Sequence, residues 1–433
     1  MIVMGGIIGA GIFTNPYVVA QQVHTPLLIL GAWTVGGLIA LAGAFIYAEL
    51  SSQVSESGGQ YVYLRDAMHP LVAFVYGWSL LFVIQTGGMA AVALIFATHV
   101  FELAGSKASE FSAAMLASVA LALLTIVNCI GVRAGTVTQN VFMILKLLAI
   151  AVLVLFGLMV GQSTSNVASP SIVTPSTTWQ SLIAFGAALI PAQFAYGGWQ
   201  TACFVAGEVR DPRKTLPRGL LLGVLGVIVV YLSVNYVCVH ALGADGLAQT
   251  KTPASAVMRL ALGSKGGRLI AAGIAFSTIG FLSQSMLTAP RVYFAMAEDK
   301  LFFKSVAWVS RGSRVPVVAI ALQGIWAAFI VSRKNLEQIL DYVVSVDFIA
   351  YGLTASCLLI FRRREQEQTA NAESAVRYRV PGHPYTTIFF IAACWSVVAG
   401  TIYSYPENTV IGLGIVLAGI PIYFFWRWWR RAG

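Results

Sequence analysis

Gly5, Gly6, Gly9 and Gly11 lie within seven residues near the start of the chain, in the run GGIIGAGIF at 5–13. The flanks are apolar and favour a helix, but each interior glycine costs roughly 1 kcal/mol relative to alanine. The helix is therefore expected to open there. A second opening is expected in FAYGGW at 194–199, where Gly197 and Gly198 follow Pro191. An opened helix frees backbone groups. The N–H groups of Ala10 and Gly11, at the start of a half-helix, suit a carboxylate, and carbonyls at Ile7, Phe194 and Gly197 suit an ammonium. With Gly9 and Ala195 in the same two turns, these positions predict a receptor for the zwitterionic head of an α-amino acid, built from backbone alone. The plainer alternative is that the glycines only let helices pack closely. Paired interruptions at matching places argue instead for a substrate site.

Two charges stand where charge is expensive. Lys146 lies in NVFMILKLLAIAVL, and a cation at that depth costs roughly 2.5–3.5 kcal/mol on insertion scales. It is expected to tie its helix to the first opening, through the backbone around Gly9 or the hydroxyls of Ser283 or Ser285. Asp347 is the other deep charge. It could carry a proton, meet a cationic substrate tail or bond locally. Glu49 reads as structural, and the cluster Glu208, Arg210, Asp211, Arg213, Lys214 and Arg218 as solvated loop charge or gate ion pairs. Trp78 and Gln85 read as packing residues with a possible place at the cavity wall.

The elements that must carry these residues are set by composition. Of 433 residues, 58% are hydrophobic and 10% charged, against roughly 25% charged in soluble domains. A soluble enzyme, a disordered tail and a secreted disulfide scaffold are all excluded, so the expected fold is an all-α polytopic membrane protein. Twelve apolar runs of spanning length fall at 2–23, 26–50, 70–101, 111–130, 136–161, 180–205, 218–240, 267–297, 315–332, 337–361, 385–404 and 408–428. With the N-terminus inside, nineteen Lys and Arg lie on the cytoplasmic side and seven outside, Lys146 being within a span; this asymmetry places both termini in the cytoplasm. No basic segment precedes the first run, so no signal peptide is expected. Residues 162–179 read as a polar outer connector, 253–262 as a short outer helix and 362–383 as a charged inner linker. Five scattered cysteines and five scattered histidines suggest neither disulfides nor a metal site, and the basic residues lack the clustering of a nucleic-acid binder.

GGIIGAGIF, SGGQYVYLRDA at 57–67, FAYGGWQTACFVAGEVRDPRKTLPRGL at 194–220 and PRVYFAMAEDKL at 290–301, in that order, resemble the amino acid–polyamine–organocation (APC) superfamily of transporters, and within it the L-type amino acid transporter branch. The resemblance runs along essentially the whole chain. It implies a 5+5 inverted repeat with discontinuous helices 1 and 6, the first repeat over 1–161, the second over 180–361, and peripheral helices 11 and 12 over 385–428. Helices 1, 2, 6 and 7 would move against a scaffold of 3, 4, 5, 8, 9 and 10. It also implies that the backbone at Ile7, Ala10, Gly11, Phe194 and Gly197 meets the substrate head, that Phe194 closes over it, and that Lys146 stands where relatives hold a sodium ion, which argues against sodium coupling. The pattern departs at Ser55 and at Lys300-Leu301. Only eight residues precede Gly9, giving a first half-helix of about 12 Å.

The expected function is secondary transport of L-amino acids, with neutral side chains favoured because no acidic residue adjoins either opening in sequence. Exchange and proton coupling both stay open. A basic amino acid or polyamine is the alternative and needs Asp347 to face the cavity. A substrate-gated channel would require a continuous polar pore, and the spans show few polar lines. No catalytic constellation for an enzyme is present. No cofactor is expected, nothing specifies a partner subunit, and a bacterial inner membrane is the expected location.

Overall fold

The computed structural model describes all residues except 107, 162–177, 334–335, 369–377, 405 and 433. Its described residues form helices and no strand. In chain order these are α1 (Ile2–Ile7), α2 (Gly11–Val23), α3 (Pro26–Gln53), α4 (Gln60–Ala67), α5 (Pro70–Ser79), α6 (Gln85–Leu103), α7 (Glu110–Ile130), α8 (Val132–Met159), α9 (Thr178–Tyr196), α10 (Thr201–Phe204), α11 (Pro212–Gln249), α12 (Pro253–Thr288), α13 (Pro290–Glu298), α14 (Val317–Val331), α15 (Leu336–Gln368), α16 (Tyr385–Ser404) and α17 (Pro406–Ala432). One π-helical turn, Leu80–Ile84, joins α5 to α6.

Local chemistry explains many of the ends. Proline occupies the first turn of α3, α5, α11, α12 and α13, where its missing N–H leaves no hydrogen bond unmade. Ser109 and Ser112 close a capping box at the start of α7, satisfying N–H groups that the first turn would otherwise leave free.

Ten helices among the described residues are long and apolar enough to cross a membrane. Two expected spans are not among them for plain reasons. Residues 2–23 divide into a helix of 6 residues and one of 13, and α14 has only 15 residues. Two of the long helices are divided by a glycine with non-helical backbone. Gly263 (φ 65°) sets off the short outer helix expected at 253–262 from the span that follows it, and Gly243 (φ 70°) separates the long part of α11 from its last stretch to Gln249. The inner linker begins later than the expected 362, because α15 stays helical to Gln368. The outer connector lies almost wholly outside the described residues.

The deep core is aromatic. Tyr196 and Tyr231 stand 5.0 Å apart between ring centres, and Trp33 lies 5.8 and 5.7 Å from them. Large apolar side chains such as Leu148, Leu155 and Leu222 are instead exposed, as suits faces that meet lipid.

The arginine-rich end is tied by ion pairs. Glu49, fully buried on α3, accepts two hydrogen bonds from Arg362 of α15, at 2.8 and 2.7 Å, and one from the backbone N–H of Val380 at 2.6 Å. Arg291 pairs with Glu208 at 2.7 Å, so this member of the loop cluster serves an ion pair rather than free solvation. Arg65 reaches Asp66, Asp299 and Glu56. Burial would lower its pKa, but these bonded carboxylates hold the guanidinium above its ordinary value.

Candidate functional site

Both expected openings exist. The first helix stops at Ile7, Ile8 is extended (φ −74°, ψ 90°), and helix resumes at Gly11. The second ends at Tyr196, turns through 197–200 with Gly198 at φ +110°, and resumes as four residues at Thr201. The positive φ makes Gly198 a position for glycine, since an L side chain would be strained there.

The two openings touch backbone to backbone. A methyl group on Gly6 would lie 2.7 Å from the carbonyl oxygen of Gly198, and one on Gly198 would overlap the Gly6 carbonyl. A methyl on Gly11 would lie 3.1 Å from Cα of Ala195. The glycines thus allow both chain breaks and close packing, so the two readings of these residues are not exclusive. Asn15 adds a clamp between the same segments, donating to the carbonyl of Pro191 at 2.6 Å.

One cavity lies at this junction, with a volume of about 80 Å³. Ile7, Gly9, Ala10, Gly11, Phe194, Ala195 and Gly197 all line it. So do Ser285, Gln85 and Asp347, which come from three further helices. The sequence reading found no acidic residue next to either opening. Folding corrects that, because α15 brings Asp347 to the wall with no ion-pair partner among the described residues. Ser283 does not line the cavity; its hydroxyl is buried without a hydrogen-bond partner. Trp78 lies away from it and donates to the carbonyl of Ile415 at 3.0 Å.

The freed backbone groups are not equally available. The N–H groups of Ala10 and Gly11 donate to no acceptor among the described residues, and α2 has no capping side chain at Ala10. They are the orphan donors of a helix start. The Ile7 carbonyl is already engaged, accepting from Gly9 N–H at 2.9 Å and from the Tyr231 hydroxyl at 3.0 Å. The Tyr231 hydroxyl also lies 3.1 Å from the Ala195 carbonyl, so one side chain of α11 spans both breaks. Phe194 keeps one lone pair after accepting from Gly197 N–H at 3.3 Å. The Gly197 carbonyl receives no hydrogen bond among the described residues.

Lys146 is 1% exposed and lies outside the cavity wall. Its ammonium donates to the carbonyl of Ile8 at 2.5 Å, within the backbone stretch expected for it. The next carbonyl, that of Gly9, accepts from the Ser277 hydroxyl at 3.2 Å, while the Ser283 hydroxyl has no hydrogen-bond partner among the described residues. On α12, Ser277, Gly280, Phe281 and Gln284 recur at three to four residues and share a face. A methyl on Gly280 would come within 3.4 Å of the Lys146 stem, and Gln284 donates to Thr201 at 3.0 Å. Tyr231, Ser277, Gln284 and Thr201 escaped the sequence reading. A tyrosine or serine in an apolar run carries no local signal of what it faces.

Comparison with known proteins covers nearly the whole chain. The family model described as amino acid permease matches residues 1–425. A serine/threonine exchanger of Bacillus subtilis is 31% identical over 428 residues, covering 98% of this chain and 94% of the relative. The human large neutral amino acids transporter small subunit 2 is 28% identical over 433 residues, covering 99% of this chain and 79% of the relative. The human b(0,+)-type amino acid transporter 1 is 28% identical over 374 residues, covering 85% and 76%.

Proposed function

The chain belongs to the amino acid permease family, and on that footing we propose that it is a secondary transporter exchanging small neutral L-amino acids by alternating access, without sodium. The observation that carries this reading is the convergence of two interrupted helices on one cavity, with unpaired donors on one side and unfilled acceptors on the other. The substrate carboxylate meets the N–H groups of Ala10 and Gly11, aided by the helix dipole. The ammonium meets the carbonyls of Phe194 and Gly197. Phe194 closes over the bound molecule, and Ser285 contributes a hydroxyl to the wall.

Size favours a compact substrate. A water needs roughly 10–15 Å³ on the scale by which the cavity holds about 80 Å³. A serine-sized molecule fits that space better than a long cationic chain. The Bacillus relative, named as a serine/threonine exchanger, points the same way. Sodium is disfavoured because the Lys146 ammonium already takes the Ile8 carbonyl, and two cations would compete there.

The reading extends to the whole membrane architecture. The ten long helices, the α1–α2 pair and the short α14 make twelve crossings, the first ten as two inverted repeats and the last two peripheral. Both termini face the cytoplasm of a bacterial cell by the bias of basic residues. A second reading, transport of a basic amino acid or polyamine, is favoured by Asp347 at the wall, whose carboxylate suits an ammonium tail.

Counterflow into proteoliposomes preloaded with serine decides between these. Labelled serine or threonine should exchange with and without a sodium gradient, and excess lysine should compete poorly. Uptake only with sodium, or competition by lysine but not threonine, would overturn the reading.

A further inference from the structure

Away from the central cavity, a groove of about 560 Å³ opens between α5, α14 and α17. Its wall is aromatic and aliphatic, including Phe74, Trp78, Phe82, Leu322 and Trp426. The segment after α13 forms its mouth and is fastened to the end of α17. Trp426 donates its indole N–H to the carbonyl of Lys300 at 3.1 Å, and Arg430 donates to the carbonyl of Phe302 at 3.3 Å.

The mouth carries two cations without an acidic partner among the described residues, set directly beside the apolar wall. Arg65, Arg291, Arg362, Arg363 and Arg379 all pair with carboxylates. Lys304 and Arg430 do not pair with any among the described residues. Both are exposed, Lys304 between two residues that line the groove and Arg430 with its guanidinium 5.7 Å from the Trp426 ring centre. An apolar slot capped by two unpaired cations lacks an anion with a hydrocarbon tail.

We propose that this groove binds an anionic phospholipid, with an acyl chain along the aromatic wall and the phosphate headgroup between Lys304 and Arg430. A partner helix on the same wall would exclude anionic and zwitterionic lipids alike. The zwitterionic phospholipids of the same leaflet would fill the slot without satisfying the two cations. The inference rests on the chain being a membrane protein and is independent of which substrate the central cavity takes.

Native mass spectrometry of the full chain tests it, after exchange into detergent with equal phosphatidylglycerol and phosphatidylethanolamine. The wild-type protein should retain one phosphatidylglycerol in preference. The double variant Lys304→Gln/Arg430→Gln should lower that retention by about 25-fold, at roughly five-fold for each cation near a membrane surface. Leu322→Trp, which fills the slot and leaves the cations, should lower retention of both lipids and serves if the charge variant does not fold. Arg213→Gln/Lys214→Gln, on another loop, should retain phosphatidylglycerol as the wild type does. Equal retention of the two lipids by the wild type, equal loss in the Arg213/Lys214 pair, or undiminished binding by Leu322→Trp would overturn the proposal.

Discussion

The ammonium of Lys146 stands 2.5 Å from the carbonyl oxygen of Ile8, one residue past the end of the first half-helix. It thus fills, from α8, an acceptor that the break in the chain leaves exposed. A hydrogen bond from a charged donor contributes about 1.5–3 kcal/mol, so Lys146→Met should slow exchange at least ten-fold. The folded protein should remain, since methionine matches the stem in volume. Counterflow rates beside a gel-filtration profile check this. Unchanged exchange would make the lysine a bystander.

Gly198→Ala meets two obstacles at once, a φ of +110° and overlap with the Gly6 carbonyl. Left-handed or otherwise sparse backbone conformations cost on the order of 1–3 kcal/mol for a residue with a side chain, and the overlap adds to that. Serine binding, measured by scintillation proximity, should fall below detection. Gly186→Ala, with nothing within 4 Å of the added methyl, is the control and should bind as the wild type does.

Tyr231→Phe removes the one hydroxyl that bridges Ile7 and Ala195. The net loss is about 1 kcal/mol from a neutral hydrogen bond, which should lower the melting midpoint in detergent by a few degrees. Because the two breaks lose their common tie, turnover should fall more than apparent affinity. A rise in KM at constant maximal rate would contradict this.

Asp347→Asn tests what the wall carboxylate recognises. If it accepts a hydrogen bond from a substrate hydroxyl, serine and threonine should lose about ten-fold in affinity while alanine changes little. Competition curves against labelled alanine measure that ratio. Parallel losses for all three would make Asp347 a scaffold residue.

Glu49→Ala should be the most damaging of these changes to the fold. It leaves Arg362 and the Val380 N–H without their buried acceptor, and breaking a buried ion pair costs about 3–5 kcal/mol. Fluorescence-detected gel filtration should show aggregation or greatly reduced yield, whereas Glu365→Ala, on a more exposed pair, should behave as wild type.

What could be read from the sequence follows from what is local. The openings at Gly9–Gly11 and Gly197–Gly198 were legible because glycine weakens a helix wherever it stands. Lys146 was legible because its depth follows from the length of apolar sequence on either side. Its acceptor, the Ile8 carbonyl next to Gly9, was legible too, whereas the serine that meets the Gly9 carbonyl, Ser277, was not. Which serine does so depends on how α12 is rotated against α8, which hydropathy does not encode. Asp347 was legible as a deep charge, but its place at the cavity wall was not, for the same reason: it lies some 150 residues from the second opening in sequence, and only the register of α15 brings it to the wall. The outer helix at 253–262 was legible because Pro253 opens it, and the non-helical backbone at Gly263 closes it where expected.

Glu49 has a wider bearing on motion. It binds α3, α15 and the start of the segment leading to α16 through a single interior carboxylate. Sliding α3 past α15 would strand that negative charge in a water-poor setting, whereas rotation about it preserves every bond. Whatever rearrangement carries cargo across, this corner must behave as a fulcrum, with the large excursions confined to the opposite ends of those rods.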